Sequence, residues 1–264
     1  METPHLIRLS LVIPAHNEER LLPRLLDSVD VARERWRQGP GAIEVIVADN
    51  FSNDCTATVA EERGCQVVRI EERRIASVRN GGAAVAEGEI LCFVDSDSDV
   101  HPNTFNAIED SLATGGVVAG ATGVRMERWP LGIAVTWALF MPMVWLTRMD
   151  TGVVFCRKDD FVAIGGYDER RFFAEDVQLL WDLRRVGRKR KQRLTRLRTV
   201  KALGSTRKFD LHGDWHYFSD LFGLVPKMFW SPRASNEFAD KYWYGEQRSP
   251  ERDARASKEL KVKS

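Results

Sequence analysis

The chain reads as an α/β protein built on a mostly parallel central sheet. Two observations carry this. Short, continuously apolar runs alternate with amphipathic stretches of helical period, and polar, acidic residues collect just after those runs. Strands without polar alternation are covered on both faces, and strands alternating with helices imply βαβ connections. The 264 residues fit one large domain or one domain plus a small appendage, and 44% hydrophobic with 29% charged residues excludes disorder, collagen-like repeats and a polytopic membrane protein as readings of the whole chain.

The first strand is expected over residues 7–13, with a helix over 18–36, and the second over 43–48, with a helix over 54–63. A third strand over 66–70 precedes a helix over 76–86, and a fourth over 90–94 precedes a helix over 102–113. From 129 to 146 the chain is almost wholly apolar, with Thr136 its only polar side chain and Pro130 and Pro142 inside it. That length sits at the low edge of the ~17–25 residues a membrane span needs. A crossing would also separate the acidic residues before and after it by a bilayer, so a buried or interfacial helix is expected. A strand over 151–156, a short helix over 159–164, a loop holding Gly165, Gly166, Tyr167 and Asp168, and a helix opening at Glu175 and Asp176 follow. Another strand falls around 194–203, residues 212–230 read as helical and aromatic, and 246–264 as a polar tail. The expected division is a main domain over 1–210, a helical, aromatic-rich extension over 211–245 packing on the active site or a membrane surface, and a disordered tail over 246–264.

The formal net charge is +1, yet residues 183–208 hold twelve Lys and Arg and no acid, so the remainder is net negative. Such a block is either a solvated face or a surface for an anionic partner: a diphosphate, a lipid phosphate, a membrane or nucleic acid. Cys55, Cys65, Cys92 and Cys156 show no C-x-x-C spacing, which suits reduced thiols. The N-terminus lacks the basic and apolar regions of a signal peptide, so a cytoplasmic protein is expected.

In open α/β sheets ligands gather beyond the carboxyl ends of the strands. The first strand ends in Pro14, Ala15, His16, Asn17 and Glu18, the second in Asp49 and Asn50, and the fourth in Asp95, Ser96, Asp97, Ser98 and Asp99. No P-loop and no G-x-G-x-x-G follows a strand, which argues against a nucleotide triphosphatase or a dinucleotide dehydrogenase. The Asp95-Ser96-Asp97 pair suits a hard divalent cation, Mn2+ or Mg2+, though a D-x-D-x-D run is equally a turn with Asx hydrogen bonds. An EF-hand is excluded because its later glycine and glutamate are missing. His212 and His216 stand four apart, as in a metal pair on a helix, without the further ligands zinc would need.

Five motifs in order over residues 7–187 give the chain a family likeness: LVIPAHNEE at 11–19, VIVADNFSND at 45–54, SVRNGG at 77–82, FVDSD at 93–97, and GGYD at 165–168 with Glu175-Asp176. Together they resemble glycosyltransferase family 2 of the GT-A fold, a Rossmann-like nucleotide-diphospho-sugar transferase architecture. The resemblance implies that Pro14 to Glu18 and Asp49 hold the nucleoside, with Asp49 accepting from a ring N–H of uracil or guanine and Glu18 meeting ribose hydroxyls. It implies Arg79 beside the diphosphate, Asp97 on the metal, and Asp95 on the ribose or on the metal through water. Asp99 departs from the commoner D-x-D-D pattern, which leaves its role open. Asp176 matches the catalytic base of inverting members, with Glu175 beside it, and Arg207, Lys208 and one histidine, His212 in preference to His216, would complete the diphosphate and metal site. Plainer readings stand beside these: Glu18, Glu175 and Asp176 as acids favoured by a helix dipole, Arg79 as a solvated helix arginine, and His216 as a core histidine.

The reading implied is a metal-dependent, inverting transfer of a sugar from a nucleoside diphosphate sugar, with UDP or GDP, to a hydroxyl acceptor. The apolar 129–146 and aromatic 211–230 segments suit a lipid-linked or cell-envelope acceptor and peripheral contact with the inner face of the cell membrane. No nucleic-acid partner is expected. Two alternatives compete. A sugar-phosphate nucleotidyltransferase would carry a glycine-and-arginine-rich loop after the first strand, and a non-catalytic carbohydrate or lipid-surface binder would need no pairing of Asp97 with Asp176.

Overall fold

The computed structural model describes residues 6–147, 149–171 and 175–207. The expectations for Lys208, His212, His216, the 211–245 extension and the tail lie outside the described residues. The first half follows the expected alternation: β1 (Leu9–Ala15), α1 (Leu22–Glu34), β2 (Ile43–Asp49), α2 (Thr56–Glu62), β3 (Gln66–Arg69), α3 (Ile75–Val85) and β4 (Ile90–Phe93). Then come β5 (Ser98–Asp99), α4 (Thr104–Ala113), β6 (Val117–Met126), α5 (Leu131–Thr147), β7 (Val154–Arg157), α6 (Lys158–Ala163), α7 (Glu175–Lys189) and β8 (Arg193–Gly204). Helix α1 begins four residues later than expected because Pro23 supplies its first turn, where a missing N–H costs nothing. Glu18 therefore precedes the helix, and the early-helix reading of that acid does not hold.

The strands form one sheet in the order β3-β2-β1-β4-β7-β6-β8-β5. Its first four strands are parallel, as expected. Beyond them the sheet is mixed: β7 runs antiparallel to both β4 and β6, β8 lies parallel to β6, and β5 closes antiparallel on β8. Because Phe93 at the end of β4 pairs with Val154 at the start of β7, and Val154 with Ala121, the Thr122 to Met126 portion of β6 overhangs the carboxyl edge of the parallel half.

Alternation along each strand divides the core in two. Leu11, Ile13, Val45, Val47 and Cys92 face one layer with Leu25, Val29, Phe105 and Ile108 of α1 and α4. Val12, Ile46, Leu91 and Phe93 face the other with Phe161, Tyr167, Leu179, Leu180 and Leu183 of the α6 to α7 region. Strand β6 was not expected from the sequence. Its Gly120 explains why: a Cβ there would lie 2.4 Å from the Thr195 carbonyl oxygen of β8, so close strand approach demands a residue of poor strand propensity.

Helix α5 forms where an apolar helix was expected, with Leu131, Val135 and Leu139 exposed in a stripe at helical spacing and Ile133 buried. No helix among the described residues is long and apolar enough to cross a membrane. The basic block forms the end of α7 and strand β8. Arg188 and Lys189 sit in the last turn of α7, where the dipole favours cations. Arg190 pairs with Asp160, Arg196 with buried Asp150, and Arg207 with Glu18, so part of the block is consumed internally. The four cysteines are free, with Cys92 and Cys156 buried on adjacent strands.

Phe155, fully buried on β7, tests the sheet's continuity. Phe155→Ala should lower the unfolding free energy by ~3–5 kcal/mol in urea titrations, whereas Val162→Ala on the exposed face of α6 should change it by less than ~0.5 kcal/mol.

Candidate active site

The site is built around a buried cation. Helix α3 carries Arg79 beneath the carboxyl edge of the sheet, where the residue is 4% exposed. Its Nη2 donates to Asp95 Oδ1 at 2.7 Å, while Nη1 donates to Glu175 Oε1 at 2.7 Å and to Asp176 Oδ1 at 2.8 Å. Three carboxylates from the end of β4 and the start of α7 thus converge on one guanidinium. Burial alone would disfavour its charge, yet Asp176, Tyr167, Asp95 and Glu175 outweigh that and push its pKa well up. The solvated-helix reading of Arg79 is excluded. The arginine expected beside a diphosphate holds these carboxylates in this structure.

Asp176 is enclosed with that cation, and Tyr167 also donates to its Oδ1 at 2.8 Å. Burial raises its pKa to about 6 against the pull of Arg79, with Glu175 and Asp95 adding to the rise. The Tyr167 ring lies 5.3 Å beneath the Arg79 guanidinium and edge-on to Phe93 at 5.1 Å. Asn80 grips the same tyrosine by its main chain: Tyr167 N donates to Asn80 Oδ1 at 2.9 Å, and Asn80 Nδ2 donates to the Tyr167 carbonyl at 2.9 Å. Gly166 makes this grip possible, since its φ is +74° and a Cβ would lie 2.6 Å from Asn80 Oδ1. The sequence marked Tyr167 only as part of a motif and gave Asn80 no role. Asn80 and Tyr167 stand 87 residues apart along the chain, and the Tyr167 hydroxyl acts on a residue of the next helix.

The metal candidates occupy the same edge. Asp95 has a half-exposed side chain at 52%, Ser96 is buried and Asp97 is partly exposed. Asp99, whose role was open, accepts a hydrogen bond from Arg24 Nη2 at 2.7 Å and so belongs to an ion pair with α1. Among the described residues no group of three or more His, Cys, Asp or Glu side chains is assembled as a metal cage. A hexacoordinate hard ion held by one or two carboxylates, water and substrate phosphate needs no such cage, and Asp95 with Asp97 fits that donor set.

The nucleoside side is also drawn together. Pro14 and Ala15 are buried in β1, and His16 Nδ1 lies 2.5 Å from the Asn50 carbonyl, to which it donates. Asn17 turns the chain at φ +54°, its amide donating to Ser52 Oγ and its Oδ1 accepting from Asn53 N, each at 2.9 Å. Asp49 is 0% exposed, with Oδ1 accepting from Ser52 N at 3.1 Å and Oδ2 from Arg69 Nε at 3.3 Å. The carboxylate expected to meet a base is thus closed off from solvent in this structure. Glu18 is held by Arg207, whose Nη2 and Nη1 donate to its two oxygens at 2.7 and 3.1 Å. Two residues expected to face the donor thus face each other. Phe51, to which the sequence assigns no role, is exposed just after β2 in the left-handed region at φ +58°, with the Arg69 guanidinium 5.7 Å from its ring.

The family model described as Glycosyl transferase family 2 matches residues 10–153, more than half of the chain. The chain belongs to glycosyltransferase family 2. Among this family member's relatives is the validoxylamine A glucosyltransferase of Streptomyces hygroscopicus subsp. limoneus, 26% identical over 231 residues, covering 70% of this chain and 49% of the relative. The 4,4'-diaponeurosporenoate glycosyltransferase of Staphylococcus haemolyticus is 34% identical over 108 residues, covering 38% and 26%. The chain thus spans half or less of the length of these curated relatives. A mannosyltransferase from Pyrobaculum calidifontis in complex with GDP-Man and Mn2+ superposes with a TM-score of 0.59 at 18% identity, over 74% of this chain and 56% of that one. Glucosyl-3-phosphoglycerate synthase from Mycobacterium tuberculosis, with Mn2+, UDP and glucosyl-3-phosphoglycerate, gives 0.54 at 18% identity, over 82% and 79%. At these identities the likeness speaks for the fold, which is of the GT-A type.

The raised pKa of Asp176 has a consequence for stability. A carboxyl whose folded pKa exceeds its unfolded value stabilises the fold fully below the unfolded pKa and loses that contribution as pH rises through the folded one. With an ordinary value of 3.8 and a folded value of about 6, the loss falls between roughly pH 4 and 6. Asp176→Asn should lack this step, so its melting temperature relative to wild type should rise across that window in thermal unfolding scans.

Proposed function

We propose that the chain transfers a glycosyl group from a nucleoside diphosphate sugar to a hydroxyl acceptor with inversion at the anomeric carbon. The observation that carries the reading is the meeting of Asp95, Glu175 and Asp176 on Arg79 at the carboxyl edge of the sheet. Asp176 takes the proton of the acceptor hydroxyl as its oxygen attacks the anomeric carbon from the face opposite the departing diphosphate. A base with a pKa of about 6 is ionised at neutral pH while retaining proton affinity, which suits this task. Glu175, held by the same guanidinium, orients the start of α7.

Asp97 and Asp95 would hold Mn2+ or Mg2+. Such an ion, when bound, supplies positive charge against the diphosphate leaving group. The relatives and structural neighbours support the donor class, since their names and bound ligands include a glucosyltransferase, GDP-Man, UDP and Mn2+. On the nucleoside side, His16, Asn17 and Asp49 line the ends of β1 and β2, and the Glu18–Arg207 pair opens to meet ribose and diphosphate oxygens. The exposed stripe of α5, with Trp129 at its foot, supports an acceptor presented at a lipid surface.

Asp176→Asn should leave donor affinity nearly intact and lower kcat by ~10²–10⁴-fold, the range typical of a lost general base. Unchanged kcat, or a product that keeps the donor's anomeric configuration by NMR, would overturn the mechanism. Asp97→Asn and excess EDTA should each abolish turnover, and full activity in EDTA would remove the metal from the reading. Released nucleoside diphosphate separates it from a nucleotidyltransferase, which would release pyrophosphate.

Binding to anionic liposomes in flotation should be salt-sensitive and should weaken on Leu131→Glu with Leu139→Glu. A chain that fails to float at low salt would leave the α5 stripe without a lipid role.

A further inference from the structure

We propose that Tyr167 is a positioning residue that, with Arg79, fixes the plane of the Asp176 carboxylate so that its remaining oxygen meets the acceptor. The proposal rests on the reading of Asp176 as the proton acceptor and adds an orientation to it. Arg79 Nη1 and Tyr167 Oη both donate to the same oxygen, Oδ1, each at 2.8 Å. A carboxylate oxygen has two lone-pair directions, and these two donors fill them. Among the described residues no hydrogen bond goes to Oδ2. The other oxygen, Oδ2, is therefore the one presented to the acceptor hydroxyl, and tilting the carboxylate out of this plane would break two hydrogen bonds to it at once.

The tyrosine can hold this position because it is itself fixed. It is 2% exposed and set edge-on to Phe93, two residues before Asp95 on the same chain segment. Asn80, adjacent to Arg79, clamps its main chain in both directions. Burial first, and then the neighbouring Asp176, pushes its phenol pKa well up, so the hydroxyl remains a donor. A neutral donor orients the carboxylate while withdrawing less basicity than a second cation would. The charged and titratable groups facing Asp176 are Arg79 from α3, Glu175 from its own helix, Asp95 from the end of β4 and Tyr167 from the loop after α6.

Tyr167→Phe removes the hydroxyl and keeps the ring against Phe93 and Phe161. With a nucleoside diphosphate sugar as probe, donor affinity by calorimetry should stay within about twofold of wild type, while kcat falls by ~10²-fold, as expected when a reacting group is slightly misplaced. The acid limb of kcat should move to higher pH, because the lost hydrogen bond had favoured the ionised carboxylate. In an Asp176→Asn background the same substitution should cost nothing further, since the oxygen it orients no longer acts as a base. A Tyr167→Phe enzyme with wild-type kcat and acid limb overturns the inference, and so does an equal loss in the Asp176→Asn background. If Asp176→Asn itself retains kcat, it is the assignment of the base that fails. If Asp176→Asn collapses while Tyr167→Phe is wild type, only the role of Tyr167 falls.

Discussion

A buried guanidinium is costly to keep unless negative charge surrounds it, and that constraint arranges the site end of this protein. Desolvating one ion costs several kcal/mol even after relaxation, and removing a partner from such a cluster typically costs ~3–5 kcal/mol. Arg79 meets the demand with Asp95, Glu175 and Asp176, which come from two elements far apart in the chain. Helix α3 must therefore run under the end of β4, the loop after α6 must pass close beneath it, and α7 must begin at the same point. The two consecutive glycines of that loop, both at positive φ, follow from this geometry. A residue with a Cβ at Gly166 would push Asn80 away from the segment it grips.

The alternation of elements in the first half was legible because each strand is a continuous apolar run between polar termini, and the ends of those runs pointed to Asp49 and Asp95, whereas Glu175 and Asp176 came only from the family motif. Strand β6 was hidden by its own packing: Gly120 and Gly123 lower strand propensity at the positions where β8 approaches. The antiparallel placement of β7 was equally unreadable, since a buried strand carries no mark of its direction. Site residues were legible as types and positions, but their partnerships were not. Glu18 and Arg207 are 189 residues apart, and nothing local to either indicates that they join. Tyr167 looked like a motif filler because its hydroxyl acts across a turn on a residue of the next helix. Asp99, whose role the sequence motif left open, anchors α1 through Arg24.

The charge asymmetry of the chain also resolves into local causes. The basic run over residues 183–208 reads from sequence as a solvated face or a surface for an anionic partner, yet Arg190, Arg196 and Arg207 each turn inward to a carboxylate from an earlier part of the chain. The run thus stitches β8 and the end of α7 to the rest of the fold. The desolvation of buried partners such as Asp150 offsets much of the attraction in such pairs.

The spans between Arg79 and its partners at α7, 96 and 97 residues, bear on how the molecule is made. Long-range contacts form late, after the entropy of closing the intervening chain has been overcome. During synthesis the parallel half, complete at residue 93, leaves the ribosome well before Glu175 and Asp176 do. Until they arrive, Arg79 has only Asp95 to offset its burial, and the second core layer lacks Leu179, Leu180 and Leu183. The nascent half-sheet is therefore an incomplete folding unit with an exposed edge at β4, the type of intermediate that chaperones hold. The carboxylates that close on Arg79 and the leucines that complete the second core layer lie on the same helix, α7, so the site and that layer depend on one set of long-range contacts.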